Sequence, residues 1–283
     1  MKSLDYYFKK ADKENFAIGQ FNFSTFEVLK AIILAAKEMR SPVIVGTSQN
    51  EANFFGMEEA VSLVNIYKRK YNVPVFLNLD HCRDISMLKK AVKLGYNTCH
   101  FDGSKLDYEK NLKETKKASR ICYAKNIPLE AELGYIPGAS KIIDKIPDIQ
   151  KTDVKLFESF ISSVKLQRVA VSVGSFHGIS KKGKPKLDFD LIKKLYNISN
   201  GKCYLVLHGA SGIPDKDIKK AIKFGIRKVN FNTEIRILYK NSLLKNITST
   251  KEVAPYKYLP AVIEQVKNLI KEKIKILGSY YKK

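Results

Sequence analysis

The segment that combines the most potential ligand groups in the sequence is His208-Gly209-Ala210-Ser211-Gly212, which follows the apolar run 204–207. An imidazole can bind a metal ion, and the N–H groups of a glycine-rich turn can bind a phosphate. Two other apolar runs end similarly, at Asp80-His81 and at Ser175-Phe176-His177-Gly178. The chain has 4 histidines, and three of them stand where predicted strands end. If those strands converge, the three imidazoles predict a catalytic metal site, because catalytic zinc commonly takes three protein ligands.

The fourth histidine and the cysteines are not expected in this site. His100 lies within a predicted strand, so we interpret it as a core or packing histidine. The 4 cysteines are scattered without paired spacing, which argues against a disulfide framework and a cysteine-rich structural zinc site. The sequence begins without the apolar segment of a secretory signal, and its apolar stretches are too short to span a membrane. We therefore expect a cytoplasmic protein with no membrane partner.

The formal net charge is +23, from 51 basic and 28 acidic residues. A field of that sign attracts polyanions such as nucleic acid. The lysines are spread along predicted helices, as in 113–117 and 216–220, and no zinc-finger spacing, basic arm or RNA-binding strand motif accompanies them. We interpret the charge as solvated helix surface that also attracts an anionic, phosphorylated substrate. No nucleic-acid partner is expected.

Short β-branched runs alternate with amphipathic stretches along the whole chain, with strand starts roughly 25 to 40 residues apart. Such an alternation without a linker predicts a single (β/α)8 TIM barrel over residues 1–283, with a C-terminal helical extension. A doubly wound open sheet is the alternative, but a Gly-x-Gly-x-x-Gly motif does not follow the first strand. The predicted strands are Phe16–Phe21, Val43–Gly46, Val75–Leu79, Thr98–Phe101, Leu129–Leu133, Val169–Val173, Tyr204–Leu207 and Arg227–Phe231. The clearest helices are Phe26–Lys37, Met57–Tyr71, Ile85–Leu94, Tyr108–Lys125 and Ile218–Phe224.

The barrel hypothesis places active-site groups at the C-terminal ends of strands. Phosphate often binds after strands seven and eight, where Gly209–Gly212 and Asn230–Thr233 fall. A metal ion beside a phosphate site suits enolate chemistry on a phosphorylated ketone, with Asp80 as proton donor or acceptor. The polar residues at the predicted strand ends are Asn22, Thr47, Ser48, Asp80, His81, Asp102, Glu132, Ser175, His177, His208 and Asn230.

These motifs together resemble the class II, metal-dependent fructose-bisphosphate and tagatose-bisphosphate aldolases. The resemblance runs nearly from end to end and implies a barrel enzyme that reversibly joins dihydroxyacetone phosphate to an aldehyde, glyceraldehyde 3-phosphate. Fructose and tagatose substrates both stay open, and the partners implied are a phosphorylated sugar and further copies of the chain, as a homodimer or homotetramer. The matching segments are 16–22 (FAIGQFN), 79–81 (LDH), 101–104 (FDGS), 130–134 (EAELG), 171–178 (VSVGSFHG), 205–212 (LVLHGASG) and 228–234 (KVNFNTE).

The resemblance also implies roles for individual residues. His81, His177 and His208 would hold the catalytic Zn²⁺, and Asp80 would carry the proton of the aldehyde-derived oxygen. Glu132 and Asp102 would serve a second divalent cation or support the first, and a monovalent cation, Na⁺ or K⁺, is a further candidate. The implied substrate-binding residues are Gly178, Gly209, Ala210, Ser211, Asn230, Phe231, Asn232 and Thr233.

Three residues near the implied site have a second interpretation. Glu130 shares a strand face with Glu132, and we place Glu130 deeper in the barrel. Asp102 is equally a candidate N-cap of the next helix. Lys228 has the strand parity of Asn230 and would suit a Schiff base, but its early position predicts a structural role.

The chain departs from the family pattern at three places. Cys82 stands where a glycine often follows the metal-binding histidine. The segment after Glu132 lacks a run of adjacent acids, which leaves Asp144 as a candidate for the base that removes the triose proton. Tyr256 stands where an arginine often contacts the second phosphate, with Lys257 beside it.

Two other functions compete with the aldolase hypothesis. A barrel hydrolase or epimerase acting on another phosphorylated small molecule would share the three histidines. A non-catalytic, basic nucleic-acid binder would not need Asp80 and all three histidines, so their presence argues against it.

Overall fold

The computed structural model describes residues 2–283. Within this range, eight parallel strands close into a barrel in the order β1-β10-β9-β7-β5-β4-β3-β2. The predicted eight-stranded barrel is therefore confirmed, and the open doubly wound sheet is wrong because β1 pairs with both β2 and β10. The barrel strands are β1 (Ile18–Asn22), β2 (Val43–Ser48), β3 (Val75–Cys82), β4 (Thr98–Phe101), β5 (Leu129–Leu133), β7 (Arg168–Val171), β9 (Tyr204–Leu207) and β10 (Ile226–Phe231).

Two further strands form a small parallel pair outside the barrel. They are β6 (Gly138–Ile143) and β8 (His177–Ser180). The predicted strand Val169–Val173 is correspondingly too long. The observed β7 ends at Val171, and Gly174 follows with φ +107°, a conformation that favours glycine and turns the chain away from the barrel. As a result, His177 begins a strand of the small pair instead of following a barrel strand.

Helices cover the outside of the barrel. Those predicted at Met57–Tyr71 and Ile85–Leu94 have the predicted bounds, while α3 begins at a capping box of Ser48 and Glu51 directly after β2. The helices are α1 (Leu4–Glu14), α2 (Phe26–Glu38), α3 (Gln49–Phe55), α4 (Met57–Tyr71), α5 (Ile85–Leu94), α6 (Tyr108–Tyr123), α7 (Val154–Ser163), α8 (Phe189–Ser199), α9 (Asp215–Lys223), α10 (Thr233–Thr248) and α11 (Pro255–Leu277).

The inside of the barrel is layered. At its N-terminal end, Tyr7 and Phe8 of α1 pack with Ile18, Ile44 and Phe76 in a separate apolar cluster. The next layer is polar and fully buried, and its residues point inward because they alternate with outward apolar residues along each strand. This layer contains Gln20, Asn78, Glu130, Arg168 and Lys228. Charged groups buried at this depth require partners of opposite charge. Glu130 is the partner of Lys228, and it also contacts His208 in the layer above.

The last helix, α11, packs against α2 and α10. Its Val262, Val266, Ile270 and Ile274 form one buried stripe. Among the described helices, none combines the length and apolar character needed to cross a bilayer.

Candidate functional site

Three of the predicted site residues converge at the C-terminal end of the barrel. Asp80 and His81 lie at the end of β3, and His208 follows β9 directly. His81 Nε2 lies 2.9 Å from His208 Nδ1. The ring of His177 lies beside this pair, with centroid distances of 4.8 Å to His81 and 6.0 Å to His208. The structure thus brings together the three histidines that the sequence predicts as metal ligands.

The deep carboxylate of Glu130 fixes the orientation of His208. Glu130 Oε1 lies 2.9 Å from His208 Nε2, so that nitrogen donates its proton to the carboxylate. Nδ1 of the neutral ring then carries a lone pair and faces His81. A carboxylate on the far nitrogen is the usual support of a metal-binding histidine.

Two other carboxylates lie beside the far nitrogen of His81, at ion-pair distances longer than the Glu130–His208 hydrogen bond. Its Nδ1 lies 3.3 Å from Glu132 Oε2 and 3.5 Å from Asp102 Oδ2. Nδ1 therefore keeps a proton, and Nε2 faces the cavity, where it can offer a lone pair to a metal ion once it has lost its own proton. Nε2 of His81 and Nδ1 of His208 are 2.9 Å apart and share a proton, and a metal ion that displaces this proton would be held by both rings.

The protonation of these rings depends on burial and on neighbouring charge. Burial, followed by the charge of His81, lowers the pKa of both His177 and His208 to about 3. Burial also disfavours a charged His81, but Asp80 and the two carboxylates at Nδ1 outweigh it and raise its pKa well above the ordinary value. The two neutral imidazoles offer lone pairs to a divalent cation, whereas His81 must release a proton before it can bind one.

Asp80 is buried at the mouth of the barrel and is held by amides. Asn22 Nδ2 donates to Asp80 Oδ2 at 3.0 Å, and Asn230 Nδ2 lies 3.4 Å from Oδ1. Burial opposes ionisation, but the nearby charge of His81 outweighs it and holds the pKa of Asp80 well below its ordinary value. Asp80 is therefore a carboxylate that can accept a proton from a bound molecule.

Asp102 has local partners besides His81. Its Oδ2 accepts from Arg83 Nε at 2.9 Å, and its Oδ1 accepts from the Ser104 hydroxyl at 2.6 Å. The alternative that Asp102 caps the next helix is wrong, because Asp107 is the N-cap of α6. Lys228 is fully buried with Nζ 2.6 Å from Glu130 Oε2, as its predicted structural role requires.

Glycines build a cradle beside the histidines. Gly209 has φ +64°, and a Cβ there would overlap the carbonyl oxygen of Phe176. Gly178 has φ +115°, and a Cβ would lie 2.6 Å from the Lys141 carbonyl oxygen. Side chains at these two positions would collide with neighbouring main chain, so glycine is what lets the backbone segments beside the histidines pack this closely.

The cradle and the histidines line one cavity of about 370 Å³. Ala210 and Phe231, expected among the substrate-binding residues, are buried in the apolar core, so only their main chains are available to a ligand. Among the described residues, Arg236 is the one lysine or arginine that lines this cavity. The predicted residues that line it are Asn22, Ser48, Asp80, His81, His177, Gly178, His208, Gly209, Ser211, Asn230, Asn232 and Thr233.

Glu132 and Asp102 line a second, adjoining cavity of about 200 Å³, which His81 and His177 also line. Arg83 and Lys105 add positive charge to it.

The candidate base Asp144 lies elsewhere, since its side chain is 84% exposed and pairs with Lys181 at 2.9 Å. Tyr256 is 76% exposed at the start of α11, outside both of these cavities. Lys257 pairs with Glu252 at 2.8 Å.

His100 is a buried packing histidine, as predicted, but its position beside the site was not predicted. It is fully buried, but its ring contacts two site histidines, with centroid distances of 4.7 Å to His81 and 4.9 Å to His208. One atom each of Asp80, His81, His100 and His208 lie within 4.8 Å of one another. The sequence did contain a sign of this position. Residues two apart in a strand point to the same face, so His100 shares a face with Asp102, just as Glu130 shares one with Glu132.

Comparison with known proteins agrees with this architecture. Residues 2–282 match the family model described as "Fructose-bisphosphate aldolase class-II". The chain is 34% identical to the sulfofructosephosphate aldolase of Alkalicoccus urumqiensis over 278 residues, which cover 96% of this chain and 94% of that protein. It is also 34% identical to the fructose-bisphosphate aldolase of Helicobacter pylori, over 95% of each chain.

Solved structures show the same fold. The YdjI aldolase of Escherichia coli K12 superimposes with a TM-score of 0.85 at 30% identity, over 99% of this chain and 98% of that one. A protein of Coccidioides immitis described as a putative fructose-1,6-bisphosphate aldolase gives a TM-score of 0.89 at 23% identity, over 99% and 97% of the two chains. The match to the family model spans nearly the whole chain, and two relatives exceed 30% identity over nearly their full length. The chain therefore belongs to the class II fructose-bisphosphate aldolase family.

Proposed function

We propose that the chain is a zinc-dependent aldolase that cleaves a ketose 1,6-bisphosphate, of the fructose or tagatose series, to dihydroxyacetone phosphate and glyceraldehyde 3-phosphate, and catalyses the reverse condensation. The observation that carries this proposal is that a buried carboxylate, three histidines and a glycine cradle line the same cavity. Each of the three provides one requirement of a retro-aldol cleavage.

The first requirement is a metal site. His81 through Nε2, His208 through Nδ1 and His177 would hold a zinc ion, and the carboxylates of Glu130, Glu132 and Asp102 orient two of these rings. When bound there, the ion would polarise the ketose carbonyl and stabilise the enolate form of the triose. Three histidines with no cysteine ligand are typical of catalytic zinc. A second divalent cation beside Asp102 and Glu132, and a monovalent cation near the cradle, complete the cofactor proposal.

The second requirement is an anchor for the phosphate. Gly178 and Gly209 line the cavity with main chain alone, and Ser211, Asn232 and Thr233 add polar side chains around them. Thr233 is the first residue of α10, and the N-terminus of a helix attracts anions. The triose phosphate would lie in this cradle with its carbonyl toward the histidines.

The third requirement is a proton acceptor. In cleavage, Asp80 accepts the proton of the C4 hydroxyl, and the electrons of that O–H bond form the aldehyde carbonyl as the C3–C4 bond breaks. The electron pair of C3–C4 enters the enolate of the triose, which then gains a proton at C3. Condensation runs the same steps in reverse, with Asp80 returning the proton to the new alkoxide. A positioned acid or base of this kind typically contributes on the order of 10²–10⁴ in rate.

The second anionic group of the substrate would bind at Arg236, not at Tyr256 or Lys257. Arg236 lines the cavity and donates to Glu51 at 2.5 Å, which leaves other guanidinium donors available. Tyr256 is exposed and Lys257 is paired with Glu252. Arg236→Gln should reduce kcat/KM for a 1,6-bisphosphate more than for the matching 1-phosphate, whereas Lys257→Gln should change neither.

We propose further that the protein acts in the cytoplasm as a homodimer or homotetramer. All four cysteines are buried and free, which suits a reducing compartment. Light scattering coupled to gel filtration measures the oligomer size directly.

A panel of phosphorylated ketoses, coupled to detection of triose phosphate, tests the proposed reaction. The panel should hold the 1,6-bisphosphates of fructose and tagatose and, given the Alkalicoccus relative, sulfofructose phosphate. We expect triose phosphate release that chelation abolishes and zinc restores. Release of inorganic phosphate or epimerisation without C–C cleavage would favour the hydrolase or epimerase instead.

A further inference from the structure

His100, in the middle of β4, has no part in the proposed reaction, although it is fully buried between two site histidines. A buried imidazole in this position either binds the metal ion, orients another group or only fills space. The bonds of its two ring nitrogens distinguish these roles.

The backbone N–H of His81 donates to His100 Nδ1 at 3.1 Å. A nitrogen that accepts a hydrogen bond carries no proton, so the proton of the neutral ring is on Nε2. Nε2 then has no lone pair to offer a metal ion. The lone pair of Nδ1 already accepts the hydrogen bond from the His81 N–H. Asp80 Oδ1 lies 3.5 Å from the same Nδ1, a longer contact than the backbone bond. In this arrangement His100 orients its neighbours and does not bind the ion.

The N–H that His100 accepts belongs to an irregular part of the sheet. Leu79 pairs with Cys99 and Cys82 pairs with Phe101, so Asp80 and His81 together lie opposite the single residue His100. This is a β-bulge, in which the ladder hydrogen bonds are locally interrupted. The side chain of His100 takes the place of the missing backbone acceptor.

The bulge determines where Asp80 and His81 point. Side chains of consecutive residues in a regular strand lie on opposite faces of the sheet, yet Asp80 and His81 line the same cavity. His81 achieves this with φ +47°, a left-handed conformation that residues other than glycine rarely adopt. Such a conformation persists only where surrounding contacts hold it, and the bond to His100 is the contact made by its own N–H.

The other nitrogen of His100 faces the carboxylate that supports His81. Nε2 lies 3.5 Å from Glu132 Oε2, and within the described chain neither atom has a hydrogen-bond partner. The same oxygen lies 3.3 Å from His81 Nδ1. His100 thus contacts both the backbone of His81 and the group that sets the tautomer of its ring.

We propose that His100 is a positioning residue, whose Nδ1 holds the bulge at Asp80 and His81 and so aims a proton carrier and a metal ligand into one cavity. The proposal rests on the proposed function, because it assigns those two roles to Asp80 and His81.

The test compares His100→Asn with His100→Leu, two side chains of similar size and shape. Asparagine offers its amide oxygen near the position of Nδ1 and can accept the His81 N–H, whereas leucine cannot. The measurements are the Zn²⁺ affinity in competition with a chromophoric chelator, the visible absorption spectrum of the Co²⁺-loaded protein, and kcat with KM. We expect His100→Asn to stay close to the unmodified protein in all three. We expect His100→Leu to lose roughly 10- to 100-fold in zinc affinity and kcat, with an altered Co²⁺ spectrum.

Equal behaviour of the two variants overturns the proposal. If both keep normal values, His100 only fills space, and if both lose the ion, the imidazole itself is a ligand. Should His100→Leu fail to fold by circular dichroism, His100→Gln takes its place, since its amide extends past the Nδ1 position. An unmodified protein that cleaves no ketose phosphate would refute the proposed function alone, because zinc affinity and the Co²⁺ spectrum still report how His81 is held.

Discussion

The Glu130 carboxylate lies 2.9 Å from Nε2 of His208 and determines which nitrogen of that ring faces the cavity. The second oxygen of Glu130 contacts the ammonium of Lys228 at 2.6 Å and the guanidinium of Arg168 at 3.1 Å. One buried carboxylate therefore connects the charged layer inside the barrel to the proposed metal site.

Replacing this carboxylate should weaken both folding and metal binding. Glu130→Gln leaves Lys228 and Arg168 buried without a counter-charge, which typically costs about 3–5 kcal/mol in the free energy of unfolding. It also weakens the support of His208, for which we expect a roughly 10- to 100-fold loss of zinc affinity. Denaturant unfolding of the metal-free protein and a zinc titration measure the two effects. Glu158→Gln, at an exposed position of α7, is the matched control, and equal results for the two variants would refute this role.

The glycine cradle should fail when a methyl group is added at Gly209. A Cβ there overlaps the Phe176 carbonyl oxygen and must adopt φ +64°. This strain costs about 1–3 kcal/mol. If it is relieved by a shift of the loop that binds the anion, phosphate should bind roughly 10- to 100-fold more weakly. The inhibition constant of inorganic phosphate is the measurement. Gly201→Ala is a suitable control, since Gly201 has φ +76° but a Cβ there meets nothing within 4 Å. Unchanged phosphate binding in Gly209→Ala would place the anion elsewhere.

The metal-free protein should lose stability as the pH falls below neutral. His177 and His208 have pKa values of about 3 when folded, against 6.5 for an unperturbed histidine. The unfolded chain therefore binds more protons below pH 6.5, and the stability that these rings contribute above that pH is lost on the way to pH 3. Each ring adds up to about 1.4 kcal/mol per pH unit to the slope.

His177→Asn isolates one of these two contributions. Between pH 6 and pH 5 the slope of unfolding free energy against pH should fall by roughly 1.4 kcal/mol per unit in the variant. Asp80 and Glu130 have lowered pKa values and titrate below this range in the folded protein, and His81 has a raised pKa; these groups are present in both proteins, so the difference in slope reports His177. An unchanged slope would mean that His177 is not kept neutral by the fold.

The sequence predicted the repeated alternation of strands and helices, and it predicted the ends of elements that are marked by a capping residue or a glycine. The bounds of β4, β5 and β9 agree with the predictions. Helix α5 begins at the N-cap Asp84 and ends at Gly95, both of which are visible in the sequence.

The missed features depend on tertiary contacts. Strands β6 and β8 lack an apolar alternation, because most residues of β6 are exposed and each strand pairs only with the other. His100 looks like a core residue in the sequence, since nothing there shows the bulge in β3 that brings the His81 N–H to its ring. The exposure of Tyr256 and the place of Arg236 at the cavity depend likewise on how α10 and α11 pack.

Asp80→Asn tests the central claim most directly, with turnover and bound zinc measured on the same sample. Asparagine keeps the size of the side chain and can still contact Asn22 and Asn230, but it cannot carry the proton of the C4 hydroxyl. The proposed role predicts a fall in turnover on the order of 10²–10⁴ with zinc content and triose-phosphate binding nearly unchanged. If zinc and activity were lost together, and excess zinc restored the rate, Asp80 would only support His81 and the claim would be contradicted.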